Sequence, residues 1–258
     1  MFKSSNLFSI EGKVALVTGG SRGIGLMIAR AYVENGAKVY ISSRKAEVCD
    51  AVAAELSQSG ICISIPADLS TDSGREHLVK TLKEKEESLD ILVNNAGAVW
   101  AAPLKDFPES GYDKTMDINV RAVFLLTRDL LPLLEKKAST SHPARIINIG
   151  SIDGIRVPEL DNFPYSASKA ALHQLTRVLA VKLGKKGITV NAIAPGPFES
   201  KMTEWMLENF KSQIEAKCPL KRIGNPEDMA GMAIFLASPA GAYVNGTIIP
   251  LDGGISIA

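Results

Sequence analysis

Cysteine is scarce in this sequence. Cys49, Cys62 and Cys218 are odd in number and lack metal-ligand spacing, which excludes a disulfide framework as the organising device and fits a reducing compartment. Cys62, between Ile61 and Ile63, reads as core. No apolar run approaches the roughly 18 residues a membrane span needs. Neither sign of charge dominates: the formal net charge is +1 with no polybasic run, so nothing calls for nucleic acid or a membrane surface as partner. The histidines, His77, His142 and His173, are scattered without metal spacing, and no metal site is expected. The beginning of the chain carries Lys3, then Ser4, Ser5 and Asn6, and Glu11 interrupts its apolar residues; it reads as neither signal nor transit peptide, and the expected location is cytoplasmic. What remains is 46% hydrophobic and 22% charged, a composition able to bury a core.

What the chain does have is a glycine turn. Val14 to Gly25 reads VALVTGGSRGIG, a short Val-rich run followed by Gly19, Gly20, Gly23 and Gly25 and then helical apolar spacing at Ile24, Ile28 and Ala31. That is a buried strand turning sharply into a helix. Residues without Cβ let backbone N–H groups approach a pyrophosphate closely, and the helix aims its positive end at the anion. The spacing is G-x-x-x-G-x-G rather than the usual G-x-G-x-x-G of dinucleotide sites. The turn implies a nucleotide and leaves the reaction open.

Strand and helix patterns alternate along the whole chain. Strands are expected at about 14–18, 38–42, 61–65, 91–93, 145–149, 189–193 and 247–251. Helices are expected at about 24–34, 46–59, 71–87, 111–135, 165–184 and 226–237. Parallel neighbours need crossovers of helix length, so the fold class is α/β, one doubly wound (Rossmann) parallel sheet with helices on both faces. No low-complexity linker, charge run or internal repeat divides it, so residues 1–258 are read as a single domain. Ligands of such sheets bind beyond the carboxyl ends of the strands. Gly19 to Gly25, Ser42 to Arg44, Asp68, Asn94 to Gly97, Gly150 to Ser151 and Pro195 to Gly196 all fall there.

Tyr165 and Lys169 stand one turn apart on a single helix face, and a nearby ammonium favours the phenolate. Ser151 follows a strand one loop earlier, so its hydroxyl can reach the same cleft. Asp153 and Asp161, in that loop, read as solvated, and His173 as a packing residue of the Tyr165 helix.

These pieces, in this order, resemble the short-chain dehydrogenase/reductase family from Gly12 to Gly254: TGGSRGIG at Thr18, DILVNNAG at Asp90, INV at Ile118, IGS at Ile149, YSASK at Tyr165, ITVNAIAPG at Ile188 and DGG at Asp252. The longer glycine spacing is the form this family uses. LLPLLEKKAS at Leu130, HPARIINIGS at His142 and PFESKMT at Pro197 resemble the branch of 3-oxoacyl-[acyl-carrier-protein] reductases linked to bacterial rhamnolipid formation.

The resemblance implies a catalytic tetrad of Asn119, Ser151, Tyr165 and Lys169. Tyr165 would give a proton to a substrate carbonyl oxygen that Ser151 also hydrogen-bonds. Lys169 would lower the phenol pKa and hold the nicotinamide ribose, and Asn119 would anchor a water. It implies NADP(H), held by Gly19, Ser21, Arg22, Gly23, Ile24 and Gly25, by Ser43 and Arg44 at the adenosine 2′-phosphate, by Asp68, Leu69, Asn95, Ala96 and Gly97, and by Tyr165, Lys169, Pro195, Gly196, Ser200 and Met202. A substrate lid is expected over 197–218, with Phe198, Met202, Trp205, Met206 and Phe210. The implied partners are a small carbonyl substrate, as an acyl carrier protein or CoA thioester, and further copies of the chain in a homotetramer. Val123, Leu126, Leu130, Leu131, Leu172, Leu175 and Leu179 are expected to supply surplus apolar surface for that assembly. Two alternatives stay open: another secondary alcohol as substrate (polyol, sugar or steroid), and a catalytically silent NADP-binding module.

Overall fold

The computed structural model describes residues 3–258. Seven strands, β1 (Val14–Thr18), β2 (Lys38–Ser42), β3 (Ile61–Ser64), β4 (Ile91–Asn94), β5 (Ala144–Ile149), β6 (Ile188–Pro195) and β7 (Ile248–Leu251), form one sheet in the order β3-β2-β1-β4-β5-β6-β7. Every pairing is parallel. The order reverses between β1 and β4, where the crossovers change side and a crevice opens at the strand ends.

Alternation along the strands sorts the helices into two layers. Ala15, Val17, Val39 and Ile41 pack with α2 (Gly23–Glu34), α3 (Ala46–Leu56) and α9 (Pro226–Ala237). Leu16, Tyr40, Leu92 and Ile146 point the other way, to α4 (Asp72–Lys85), α6 (Ala122–Glu135) and α7 (Phe163–Gly184). Strands covered on both faces read as nearly continuous apolar runs, as VALVT does, while β5, ARIINI, is buried along its whole length despite Arg145 and Asn148. A short α1 (Ser4–Leu7), α5 (Glu109–Met116) and α8 (Glu204–Lys217) complete the helices. No helix among the described residues is long and apolar enough to cross a membrane.

Local chemistry fixes the ends. Thr71 Oγ1 accepts from the Gly74 N–H at 3.1 Å and starts α4. Asp228 reaches back to the Asn225 N–H at 2.8 Å, and Pro226 opens α9.

The helix expected over 111–135 is not continuous. Between α5 and α6 the chain makes a π-helical turn, Asp117–Arg121, around Asn119. Its cause is distant in sequence. Asn119 Nδ2 donates to the Ala98 carbonyl at 3.0 Å and its Oδ1 accepts from the Ala98 N–H at 2.9 Å, so a loop beyond β4 pulls the helix out of register.

Candidate active site

The strand ends beyond β1 and β4 are bonded to each other. Thr18 Oγ1 donates to the Val93 carbonyl at 3.2 Å and accepts from the N–H groups of Asn95 and Ala96, each at 3.0 Å. Asn95 Nδ2 donates to the carbonyls of Thr18 (2.8 Å) and Gly19 (3.2 Å). Gly19, at φ +66°, has no room for a side chain: a Cβ there would lie 2.6 Å from Asn95 Nδ2. Gly23, at φ +53°, lies against Ser200, and a Cβ would meet the Ser200 Cβ at 2.9 Å. The turn is thus a cradle of backbone opening onto the N-terminus of α2, with Ser21 and Gly25 buried and Ile24 half-buried. Asp68, its Oδ1 held by the Ser70 N–H at 3.0 Å, and buried Leu69 lie beyond β3. At the end of β2 the hydroxyls of Ser42 and Ser43 are buried without a partner among the described residues, beside the exposed Arg44. Arg22 is exposed in the glycine turn. Orphaned hydroxyls next to an arginine suit a phosphate, and the residues present fit a phosphorylated dinucleotide.

The expected tetrad converges. Lys169 Nζ donates to the Ile149 carbonyl at 2.8 Å and lies 5.5 Å from the centre of the Tyr165 ring. Asn119 Nδ2 also donates to Ser168 Oγ at 2.9 Å, which places it beside Lys169 on α7. Gly97 fits between them, since a Cβ there would meet Asn119 Oδ1 at 3.0 Å and Lys169 Nζ at 3.8 Å. Behind the site, Asn94 donates to Asn148 at 2.9 Å and Asn148 to Thr176 at 2.9 Å, a polar seam joining β4, β5 and α7. Pro195 and Gly196 close the far side, with Gly196 pressed against Asp252. Met202 stands apart on the lid, 48% exposed.

One electrostatic expectation is overturned. Lys169 does not pull the Tyr165 phenol down. Burial pushes it up to about 12, with Asp153 adding to the rise and the Ser151 hydroxyl opposing it. Burial also lowers the Lys169 ammonium to about 8. At neutral pH the phenol is therefore protonated and able to donate.

Asp153 has more to do than the sequence suggested, while His173 packs as expected. Asp153, read as solvated, is drawn inward: its Oδ2 accepts from Asn162 Nδ2 at 3.0 Å and burial raises its carboxyl pKa. Asp161 stays exposed, as expected. His173, one turn beyond Lys169, is buried with Nε2 unpartnered and is lowered to about 4, first by burial and then by the Lys169 charge. Its position eight residues past Tyr165 was the available signal, because it puts both side chains on one face of α7.

The lid spans the site. At one end Ser200 touches Gly23; at the other Lys217 Nζ donates to Glu159 at 2.6 Å, and Cys218 packs with Ile152 and Ile255. Phe198 is core rather than lid, sealed against Gly224. Ala102 N–H donates to the Asp161 carbonyl at 3.1 Å, so the loop after β4 borders the same cleft. Ile155, Val157, Leu160 and Phe163, from the loop and the head of α7, and Trp205 and Phe210 in the lid leave large apolar area exposed.

A parallel sheet, a glycine cradle and a Tyr–Lys pair beside a serine define a dinucleotide-dependent oxidoreductase site. The chain belongs to the short-chain dehydrogenase/reductase family. The family described as enoyl-(acyl carrier protein) reductase matches residues 19–256. The rhamnolipids biosynthesis 3-oxoacyl-[acyl-carrier-protein] reductase of Pseudomonas aeruginosa is 50% identical over 97% of this chain and 98% of its own. Gluconate 5-dehydrogenase of Gluconobacter oxydans is 34% identical over 98% of each. The solved Pseudomonas aeruginosa RhlG/NADP active-site complex superposes with a TM-score of 0.94, at 49% identity over 97% of this chain and 99% of that one.

Proposed function

We propose that this protein is an NADPH-dependent reductase of 3-oxoacyl thioesters. The observation that carries the reading is the set of exposed apolar side chains on 152–164 and 197–218, two segments joined by the Lys217–Glu159 pair, together with a tyrosine held protonated. The 50% identity to a 3-oxoacyl-[acyl-carrier-protein] reductase supports it.

NADPH would supply the hydride to the substrate carbonyl carbon. Gly19, Ser21, Gly23, Ile24 and Gly25 would hold its pyrophosphate at the start of α2. Arg22, Ser43 and Arg44 would take the 2′-phosphate; Asp68, Leu69, Asn95, Ala96 and Gly97 would line the nucleoside; and Pro195, Gly196 and Ser200 would border the nicotinamide. Tyr165 gives its hydroxyl proton to the carbonyl oxygen, and Ser151 Oγ donates a hydrogen bond to that same oxygen as charge develops on it. Lys169 would hold the ribose and carries positive charge next to the phenol. Asn119 fixes the α7 face from which both project. Donors set beforehand in a desolvated site stabilise the forming alkoxide more than water could.

Apolar walls favour an acyl chain, each fully buried methylene contributing about 0.8 kcal/mol. The carrier, acyl carrier protein or CoA, would leave between loop and lid. A polyhydroxylated ketone is the second reading, favoured by Asn162, whose Oδ1 is buried without a partner near the cleft. The test is kcat/KM across short to medium 3-oxoacyl thioesters and a set of sugars and polyols. A rise with chain length is expected. A flat series, or a polyol ahead of every thioester, would move the assignment to the second reading.

A further inference from the structure

Asp153 stands two residues past Ser151 and is bonded to the neighbours of both reacting hydroxyls. Its backbone N–H donates to Ser151 Oγ at 3.1 Å. Its carbonyl accepts from the hydroxyl of Ser166, the residue after Tyr165. Its carboxylate accepts from Asn162, the residue at the head of α7, which is only 2% exposed. A loop carboxylate normally turns to water. Here it is half-buried and bonded to Asn162, and the cost of partial burial persists where the bond fixes a geometry.

We propose that Asp153 is a positioning residue that clamps the turn bearing Ser151 to the first turn of the helix bearing Tyr165, through the carboxamide of Asn162. The Asp153 N–H bond to Ser151 holds the turn from within, the Ser166 hydroxyl ties its backbone to α7, and the Asp153–Asn162 bond is the link made by the carboxylate itself. The Ser151 and Tyr165 hydroxyls then meet one oxygen at a fixed separation. The inference rests on the assignment of Ser151 and Tyr165 as the reacting pair. The charges around them are few: Lys169 faces Tyr165 from α7 and Asp153 faces it from the turn, Arg156 faces Asp153, and His173 faces Lys169.

Asp153→Ala removes the link, whereas Asp153→Asn keeps an oxygen that Asn162 can donate to. Misplacing a reacting group by a fraction of an ångström is expected to lower kcat roughly tenfold or more in Asp153→Ala, with NADPH affinity by fluorescence titration and Tm close to wild type. Asp153→Asn should recover most of that kcat. Without the carboxylate charge, its pH profile for alcohol oxidation should shift to lower pH, because that charge favours the protonated phenol. Asn162→Ser cuts the same link from the other end, so the double variant with Asp153→Ala should lose no more than either single one. Wild-type kcat in Asp153→Ala, independent additive losses in the double variant, or a kcat loss matched by lost NADPH binding would each overturn the clamp. Tyr165→Phe is run beside them. If it still turns over, the catalytic assignment fails and takes the clamp with it; if it is inactive, the Asp153 series reads the clamp alone.

Discussion

The imidazole of His173 occupies the space that a side chain on Gly154 would need. A Cβ at Gly154 would lie 2.9 Å from His173 Cε1 and 2.7 Å from the carbonyl carbon of Lys169. Gly150, on the other side of Ser151, is similarly pressed against His173 Nε2. The serine turn therefore rests on α7 with an aromatic ring set into the notch between two glycines.

Gly154→Ala is accordingly expected to destabilise the protein by about 1–3 kcal/mol, the usual cost of overpacking against backbone that cannot yield. Denaturant titration reads it, and kcat should fall with it because Ser151 moves. An unchanged midpoint would show that the turn lifts from the helix at no cost.

Tyr165→Phe removes one hydroxyl and almost no volume. Turnover should drop by roughly 10²- to 10⁴-fold while NADPH still binds. Single-turnover kinetics with a saturating ketone is the measurement, and near-wild-type rates would end the assignment.

How much of this was legible in advance follows from where the cause of each feature lies. The glycine turn and the Tyr165/Lys169 spacing are local, one in backbone freedom and the other in helical period, and the sequence shows both. The π turn at Asn119 is imposed by Ala98, 21 residues away, and no periodicity within the helix announces it. Asp153 looked solvated because composition cannot tell which loop carboxylates fold inward. Likewise Val123, Leu126, Leu130 and Leu172, expected as surplus surface, are buried in the chain's own core. Phe163 at the head of α7 aside, the large apolar side chains of α6 and α7 that are exposed are Phe124, Val178 and Val181.

Those three residues set the prediction for assembly. Val181 is 78% exposed, and symmetric packing of α6 and α7 between copies would cover it. Light scattering at micromolar concentration should give a multiple of 27.6 kDa, with a tetramer expected, and Val181→Glu should lower it. A monomer in the unaltered protein would refute the idea.

Cofactor choice should rest on the exposed guanidiniums of Arg22 and Arg44 and the unpartnered hydroxyl of Ser43. Replacing both arginines with alanine should lower kcat/KM for NADPH by roughly 10- to 100-fold and leave NADH little affected, since only the former carries the extra phosphate. Equal losses with both cofactors would place the arginines elsewhere in binding.

His173 predicts a pH dependence of stability. The folded protein keeps this imidazole neutral down to about 4, whereas an unfolded histidine protonates near 6.5. Between those values the unfolded state binds more protons, so stability falls as pH is lowered through the window, by up to a few kcal/mol. In His173→Gln the fall between pH 7 and pH 4.5 should be shallower in urea titrations. Parallel curves for the two proteins would assign the acid sensitivity to other groups.

Asn94 ends β4, Asn95 follows it, and the two face opposite tasks. Asn95 bonds back to Thr18 and Gly19, while Asn94 bonds forward to Asn148 and through it to Thr176. The nucleotide-holding groups come mainly from before this pair, and the proton-handling groups all come from after it. A hybrid made by exchanging either half with a relative would therefore inherit cofactor choice from one parent and substrate from the other. It would work only where both asparagines and the four residues they grip come across together, which makes this dipeptide the hinge of any recombination within the family.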